Sequence, residues 1–280
     1  MKKRIINEKL LKGYKTHLEN EEKSEATVEK YMRDVCVFSD YVLDNEVTKQ
    51  TVIDYKHQLS ERYSITSANS MLAALNSFFR FCGWNELCVK RFKSQRQTYC
   101  AKEKELTKKE YIRLLEAAKR SENERIYLII QTICSSGIRV SELKYVTVEA
   151  VSRGEATVRC KGKTRRIFII PKLRKKLLSY IKSREIKKGP VFVTRSGRPM
   201  NRSNIWREMK GLCKEADVAP SKVFPHNLRH LFARTFYQLE KDISKLADIL
   251  GHTNINTTRI YMVSSGSEHI RKMEHMNLII

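Results

Sequence analysis

The thirteen residues from Lys93 to Glu105 carry no hydrophobic periodicity and are mostly polar. Such a stretch cannot pack as a core element, so it reads as a linker. It cuts the 280-residue chain into two parts, each of which must bury its own apolar surface. Before it, apolar residues recur at steps of three and four. Val28, Tyr31, Met32, Val35, Phe38, Val42 and Leu43 form one stripe, with Ser24 as its cap. Thr48 opens the next helix, with Val52, Tyr55 and Leu59 on one face. Ser67 reads as the cap of a third, carrying Met71, Leu72, Leu75, Phe78 and Phe79 and stopped by Gly83. Residues 1–92 are therefore expected to be an all-helical domain.

Behind the linker the pattern changes. Thr107-Lys108-Lys109-Glu110 has the form of a capping box, with Tyr111, Leu114, Leu115 and Ala118 on the helix it opens. Ile126-Tyr127-Leu128-Ile129-Ile130 is apolar all round, as a buried helix running to about Ser135 would be. Residues 156–160 and 166–170 read as strands of a hairpin, with Lys161-Gly162-Lys163-Thr164-Arg165 as its turn. Pro171 ends the second strand, and helices follow to the end. Residues 106–280 are thus expected to form a mixed α/β domain.

Charge narrows the partner. Residues 1–100 hold 17 Lys/Arg against 13 Asp/Glu; residues 101–280 hold 38 against 18. Between 159 and 188 there are 13 basic residues and one acid, Glu185. The net charge of +24 calls for a polyanion, and nucleic acid is the first candidate, because neutralising phosphates releases counterions. An anionic membrane surface fits less well, since no helix sets this basic run opposite bulky apolar residues. No run of eighteen apolar residues spans a membrane, and the basic start lacks the apolar stretch of a signal peptide. Seven scattered cysteines without a CxxC pair fit reduced thiols in a cytosol better than disulfides or a zinc site.

Five short motifs carry chemistry, and each alone has an ordinary reading. In Ser136-Gly137-Ile138-Arg139-Val140-Ser141-Glu142-Leu143, Gly137 turns the chain and Glu142 lies three residues after Arg139, on its helical face. That is either a carboxylate holding a guanidinium in place or a plain ion pair. Lys161 sits in the hairpin turn, where most lysines are simply solvated. In Pro225-His226-Asn227-Leu228-Arg229-His230, His226 and Arg229 share a helical face. His226 and His230 are spaced for zinc, but Asn227 stands where a metalloprotease helix has Glu and no third ligand follows. Gly251 in Leu250-Gly251-His252 looks like a helix-ending residue that sets His252 just beyond it. Tyr261 lies nine residues later, and alone reads as a core or surface tyrosine.

Together, in this order and at these spacings, the five motifs resemble the tyrosine recombinase/integrase family, nearest in layout to the Xer-like bacterial recombinases. The resemblance spans nearly the whole chain. It implies an N-terminal all-α core-binding (SAM-like) domain over 1–92, a linker at 93–105, and a catalytic domain with a C-terminal tail over 106–280, the two clamping a DNA duplex. It leaves no room for a further arm-binding domain. It implies Tyr261 as nucleophile, Arg139 and Arg229 on the nonbridging oxygens, and His226 and His252 as hydrogen-bonding groups that share the tyrosine proton. Lys161 would protonate the 5′-oxygen and Glu142 would orient Arg139. The product would be a 3′-phosphotyrosine on the way to a Holliday junction, with no metal, cofactor or ATP. The partners implied are double-stranded DNA and three further copies in a synaptic tetramer, with the apolar tail, Ile270 to Ile280, donated to a neighbour or packed at home. The bacterial cytoplasm, at the nucleoid, is the expected location. Type IB topoisomerases share this kind of site, and a DNA-binding protein with a dead site is the non-enzymatic alternative. Integration or excision of a mobile element, chromosome-dimer resolution and DNA inversion all use this chemistry. Met262-Val263-Ser264-Ser265, in place of the common Thr-His pair, favours the mobile element.

Overall fold

Four helices make up the front of the chain: α1 (Glu8–Asn20), α2 (Glu25–Val42), α3 (Lys49–Arg62) and α4 (Ile65–Phe81). The structure, a computed structural model, describes residues 3–43, 45–93, 105–160, 163–262 and 274–275. It divides into two units, Met1–Arg96 and Gln97–Ile280. In the first, Tyr14, Phe38, Phe78 and Phe79 are fully buried and meet edge to face or tilted. Rings in these arrangements add to what their buried area contributes.

Thr48 caps α3 as expected, accepting from the Thr51 N–H. Ser67 does not cap α4. Ser64 does, accepting from the Ser67 N–H, so the helix starts one turn earlier. The Ala68 N–H already donates to the Ser64 carbonyl, so the helical ladder runs through Ser67 rather than starting there. Helix α1 was not legible in the sequence. It rests on an Asn7 cap and on buried Tyr14 and Leu18, with Leu10 and Leu11 packed against the same core.

The second unit is built around α6 (Glu124–Ser136). Ile126, Leu128, Ile129, Ile130 and Ile133 are at most 1% exposed, and only a narrow, half-buried stripe through Tyr127, Gln131 and Cys134 borders solvent. Around it lie α5 (Lys108–Arg120), opened by the Thr107–Glu110 capping box, α8 (Pro171–Ser183), α9 (Arg202–Gly211) and α10 (Pro225–Glu240), while α7 (Val148–Arg153) packs on α8. Helices α11 (Ile243–Leu250) and α12 (Ile255–Arg259) follow, then a 3-10 turn at Ile260–Met262. Among the described residues no helix is long and apolar enough to cross a membrane.

The hairpin is tighter than expected. Strand β1 (Glu155–Cys160) pairs antiparallel with β2 (Lys163–Phe168), from Glu155↔Phe168 to Cys160↔Lys163. Only residues 161 and 162 separate the strands, and Lys163-Thr164-Arg165 belong to β2 rather than to a turn. Arg165 lies on the same side of β2 as buried Ile167, while Thr164, Arg166 and Phe168 are exposed. An inward arginine breaks the apolar alternation that marks a strand, which is why this end of β2 read as loop.

Candidate active site

Helix α6 stops at Gly137, which adopts φ +62°. A Cβ there would lie 2.5 Å from a ring carbon of Phe232 and 3.0 Å from Leu250, so both the backbone angle and the space require glycine. The turn delivers Arg139 to the cap of a 3-10 helix, Val140–Tyr145, and places Glu142 beneath it.

Glu142 is 4% exposed and holds two arginines. Its carboxylate accepts from the Arg139 N–H at 2.9 Å, from Arg139 Nη1 at 2.9 Å, and from Arg165 Nη2. Burial pushes this carboxyl upward, but the Arg139 backbone N–H and the Arg165 cation outweigh it, and the pKa lies below the ordinary value. Arg165 also donates to the Ile249 carbonyl at 2.7 Å, and so runs beneath Gly251. Gly251 has φ +63°, and a Cβ on it would fall 2.4 Å from Arg165 Cδ. Gly251 ends α11, as its sequence context suggests, and it also makes room for Arg165, which nothing local foretells.

Helix α10 starts at Pro225 and carries His226, Arg229 and His230. Arg229 is 1% exposed. It donates through Nη1 to the Gly137 carbonyl and through Nη2 to the Leu250 carbonyl at 2.8 Å and to His252 Nε2 at 2.9 Å. Its Nε–H has no partner among the described residues. Burial and the nearby Arg139 cation lower its pKa to about 10, with the Tyr261 phenol pulling the other way. It stays charged at neutral pH.

A guanidinium has no lone pair to give, so His252 Nε2 is the acceptor and its proton sits on Nδ1. Nδ1 lies 2.9 Å from Oγ1 of Thr258, a fully buried residue, to which it donates. Burial, then Arg229 and Arg139, lower the His252 pKa to about 4, in keeping with a neutral ring. His226 opens toward solvent. Desolvation and the charges of Arg229, Arg139 and Arg202 also hold its pKa below the usual histidine value.

Tyr261 sits in the Ile260–Met262 turn and is 4% exposed, against Ala233, Leu246 and Leu250. Three imidazoles surround its ring. His252 stacks on it with centroids 5.7 Å apart and planes 6° apart; His226 lies at 5.9 Å; His230 meets it edge on at 4.3 Å. The structure thus brings together Arg139, Glu142, His226, Arg229, His252 and Tyr261. Lys161 lies outside the described residues, as does the tail except for residues 274–275. Sequence reasoning missed Arg165, Thr258 and the place of His230 beside Tyr261. The i,i+4 spacing of His230 from His226 is the available signal, since it puts both rings on one side of the helix. Among the described residues no three His, Cys, Asp or Glu side chains are grouped to hold a metal.

Arg139, His226 and Arg229 line a cleft of about 390 Å³ whose walls include Arg202, Trp206 and Phe224. Two fixed guanidiniums, a neutral imidazole and an adjacent phenol can hold a tetrahedral oxyanion and present a nucleophile to it.

Comparison with known proteins gives a consistent result. The model of the phage integrase family matches residues 104–268, and that of the phage integrase N-terminal SAM-like domain matches residues 11–86. The chain is 28% identical over 287 residues to tyrosine recombinase XerA of Pyrococcus furiosus, covering 100% of this chain and 98% of that one. A crystal structure of XerA recombinase superposes with a TM-score of 0.54 at 27% identity, over 97% of this chain and 99% of that one. A lambda integrase tetramer bound to a Holliday junction shares the fold, with a TM-score of 0.72 at 17% identity, over 90% of this chain and 76% of that one.

Proposed function

This chain belongs to the phage integrase family and is a tyrosine-type site-specific recombinase, and we propose that it works by transesterification at a DNA phosphodiester through Tyr261. The observation that carries the reading is the pair of arginines at one cleft: Arg139, held by Glu142, and Arg229, held by the Gly137 and Leu250 carbonyls, line it together, with Tyr261 packed beside His226. Two guanidiniums fixed at one cleft, with no carboxylate among its lining residues, suit a phosphate in charge and geometry.

With the phosphate on Arg139 and Arg229, the Tyr261 oxygen attacks phosphorus and the bond to the 5′-oxygen breaks. The phenolic proton needs an acceptor, since a tyrosine ordinarily ionises near pH 10. Both ring nitrogens of His252 are engaged, one by Arg229 and one by Thr258, so its task is to hold Arg229 in place. His226, neutral and with no hydrogen bond to its ring among the described residues, takes the proton. Lys161 protonates the leaving oxygen. The 3′-phosphotyrosine keeps the energy of the phosphodiester, so a 5′-hydroxyl from a second duplex reverses the step without ATP. No metal or cofactor enters these steps.

Exchange between two duplexes takes four cuts, hence four subunits on double-stranded DNA, and the lambda integrase tetramer is the precedent on this fold. Residues 1–92 act as the core-binding domain, 93–105 as the linker and 106–280 as the catalytic domain, working at the nucleoid in the cytoplasm. The biological task is integration or excision of a mobile element, for which the Met262-Val263-Ser264-Ser265 departure from the Xer pattern speaks.

The test is a nicked substrate that traps the covalent complex. The parent protein forms an adduct; Tyr261→Phe binds DNA and forms none. An adduct that persists in the variant means another nucleophile. No adduct from the parent on any DNA, its own gene-flanking repeats included, leaves a DNA-binding protein without the activity.

A further inference from the structure

Helix α9 shows two different faces. Ile205 and Met209 are fully buried and anchor it. Arg202, Trp206 and Lys210 follow one another at steps of four along the adjoining stripe. Trp206 is 49% exposed, and its ring forms part of the wall of the cleft that contains Arg139, His226 and Arg229. The Lys210 ammonium lies 5.2 Å from the indole centroid, which steadies the ring. Arg202 lines the same cleft, is exposed, and makes no hydrogen bond or ion pair among the described residues. Packing does not explain this tryptophan, because Ile205 and Met209 already fill the core beneath the helix.

A DNA strand whose phosphate rests on Arg139 and Arg229 must lay an adjoining nucleotide along this wall. Exchanging strands also requires bases beside the cut to leave their own stack, which bares an aromatic face. We propose that Trp206 is the stacking platform for the base adjoining the cut phosphate, with Arg202 neutralising the next phosphate along the strand. This rests on the reading that a DNA strand is cut in this cleft. Stacking on an indole accepts any base, so Trp206 secures the position of the strand rather than its sequence. The indole takes the place of the lost neighbouring base at the moment the strand is free to move. Arg202, on the same helix face, fixes the backbone without reading bases.

The position of the Tyr261 adduct is mapped first with the parent protein. A duplex of that sequence is then prepared intact and with an abasic nucleotide on either side of the cut phosphate in turn. Binding is measured in the Tyr261→Phe background, where nothing is trapped. Trp206→Ala should weaken binding to the intact duplex roughly tenfold or more. One of the two abasic duplexes should weaken binding by Tyr261→Phe alone by a similar factor. On that duplex Trp206→Ala should add almost nothing, and Trp206→Phe should keep most of the affinity. Arg202→Ala should weaken all three duplexes equally and reduce the salt slope by about one. Losses from Trp206→Ala and from the abasic site that simply multiply would overturn the proposal, as would abasic sites without effect on either side. If the parent maps no adduct at all, the cleavage reading itself has failed, and that result is visible before any variant is made.

Discussion

Nη2 of Arg229 donates to Nε2 of His252 at 2.9 Å, and this one bond settles the state of both residues. It requires an unprotonated Nε2, so His252 is neutral with its proton directed to Thr258. It also turns the guanidinium so that Nε, rather than the Nη2 edge, is left unpaired. The two chain segments joined here are 23 residues apart in sequence. Gly251 holds them in register by ending α11 immediately before His252.

Acid should loosen this unit. His230 and His252 both have pKa values lowered to about 4, from burial and then from neighbouring charged or ionisable groups. A histidine with a lowered folded-state pKa takes up a proton on unfolding, so its contribution to stability is complete above about pH 6.5 and is lost as pH falls toward 4. Urea melts over that range should show stability falling with acid. His230→Phe should remove up to about one proton from the slope. An unchanged slope means that His230 is not neutral in the folded state.

Glu142→Gln should be strongly destabilising for one substitution. It leaves Arg139 and Arg165 facing a neutral amide in a site that is nearly closed. Breaking a buried pair by removing one partner costs about 3–5 kcal/mol; the partial exposure of Arg139 places the expected loss at the lower end. Cleavage should fall with stability. A loss under about 0.5 kcal/mol would show that the carboxylate does not bear the two arginines.

Lys161 and Lys163 flank Gly162 in the sequence, Lys163 being the first residue of β2, and Lys161 is the proposed general acid. Lys161→Ala should cleave a normal phosphodiester roughly a hundredfold more slowly or worse. The same variant should cleave a 5′-bridging phosphorothiolate almost as fast as the parent, because a thiolate needs no proton to leave. Arg139→Ala should not be rescued this way. Rescue of Lys163→Ala in place of Lys161→Ala would move the assignment two residues along.

DNA binding should weaken steeply with salt. The second unit carries the charge excess, with the run at 159–188 its densest part. If about six or more phosphates are neutralised, affinity should fall about a thousandfold or more between 50 and 200 mM salt. A nearly flat response in a filter-binding series would mean that the basic run faces away from DNA.

Tyr261→Phe, on the nicked substrate described above, should bind within a few-fold of the parent while forming no adduct. The change removes one hydroxyl and leaves the ring among its three histidines.

Most helix stripes and several caps were legible in the sequence because each depends on neighbours within about four residues. The Thr107–Glu110 capping box, the turn at Gly137 and the stop at Gly251 belong to that class. So does the order of the five motifs, through which the resemblance named the family. Local spacing also put Arg139 beside Glu142 and His226 on a face with Arg229. It failed where two local choices are nearly equal, as between Ser64 and Ser67, since either serine can cap.

What the tertiary structure alone decided are the contacts between residues far apart in the chain. Arg165 read as turn because its partner, Glu142, is 23 residues away, and an inward charge looks like the end of a strand until its carboxylate is in view. Arg229 gains its meaning from the Gly137 and Leu250 carbonyls, 92 residues before it and 21 after it. The histidine ring around Tyr261 gathers α10 and the chain after α11 over one small core. Periodicity reports which way a side chain points from its own element; it carries no information about what another element brings to meet it.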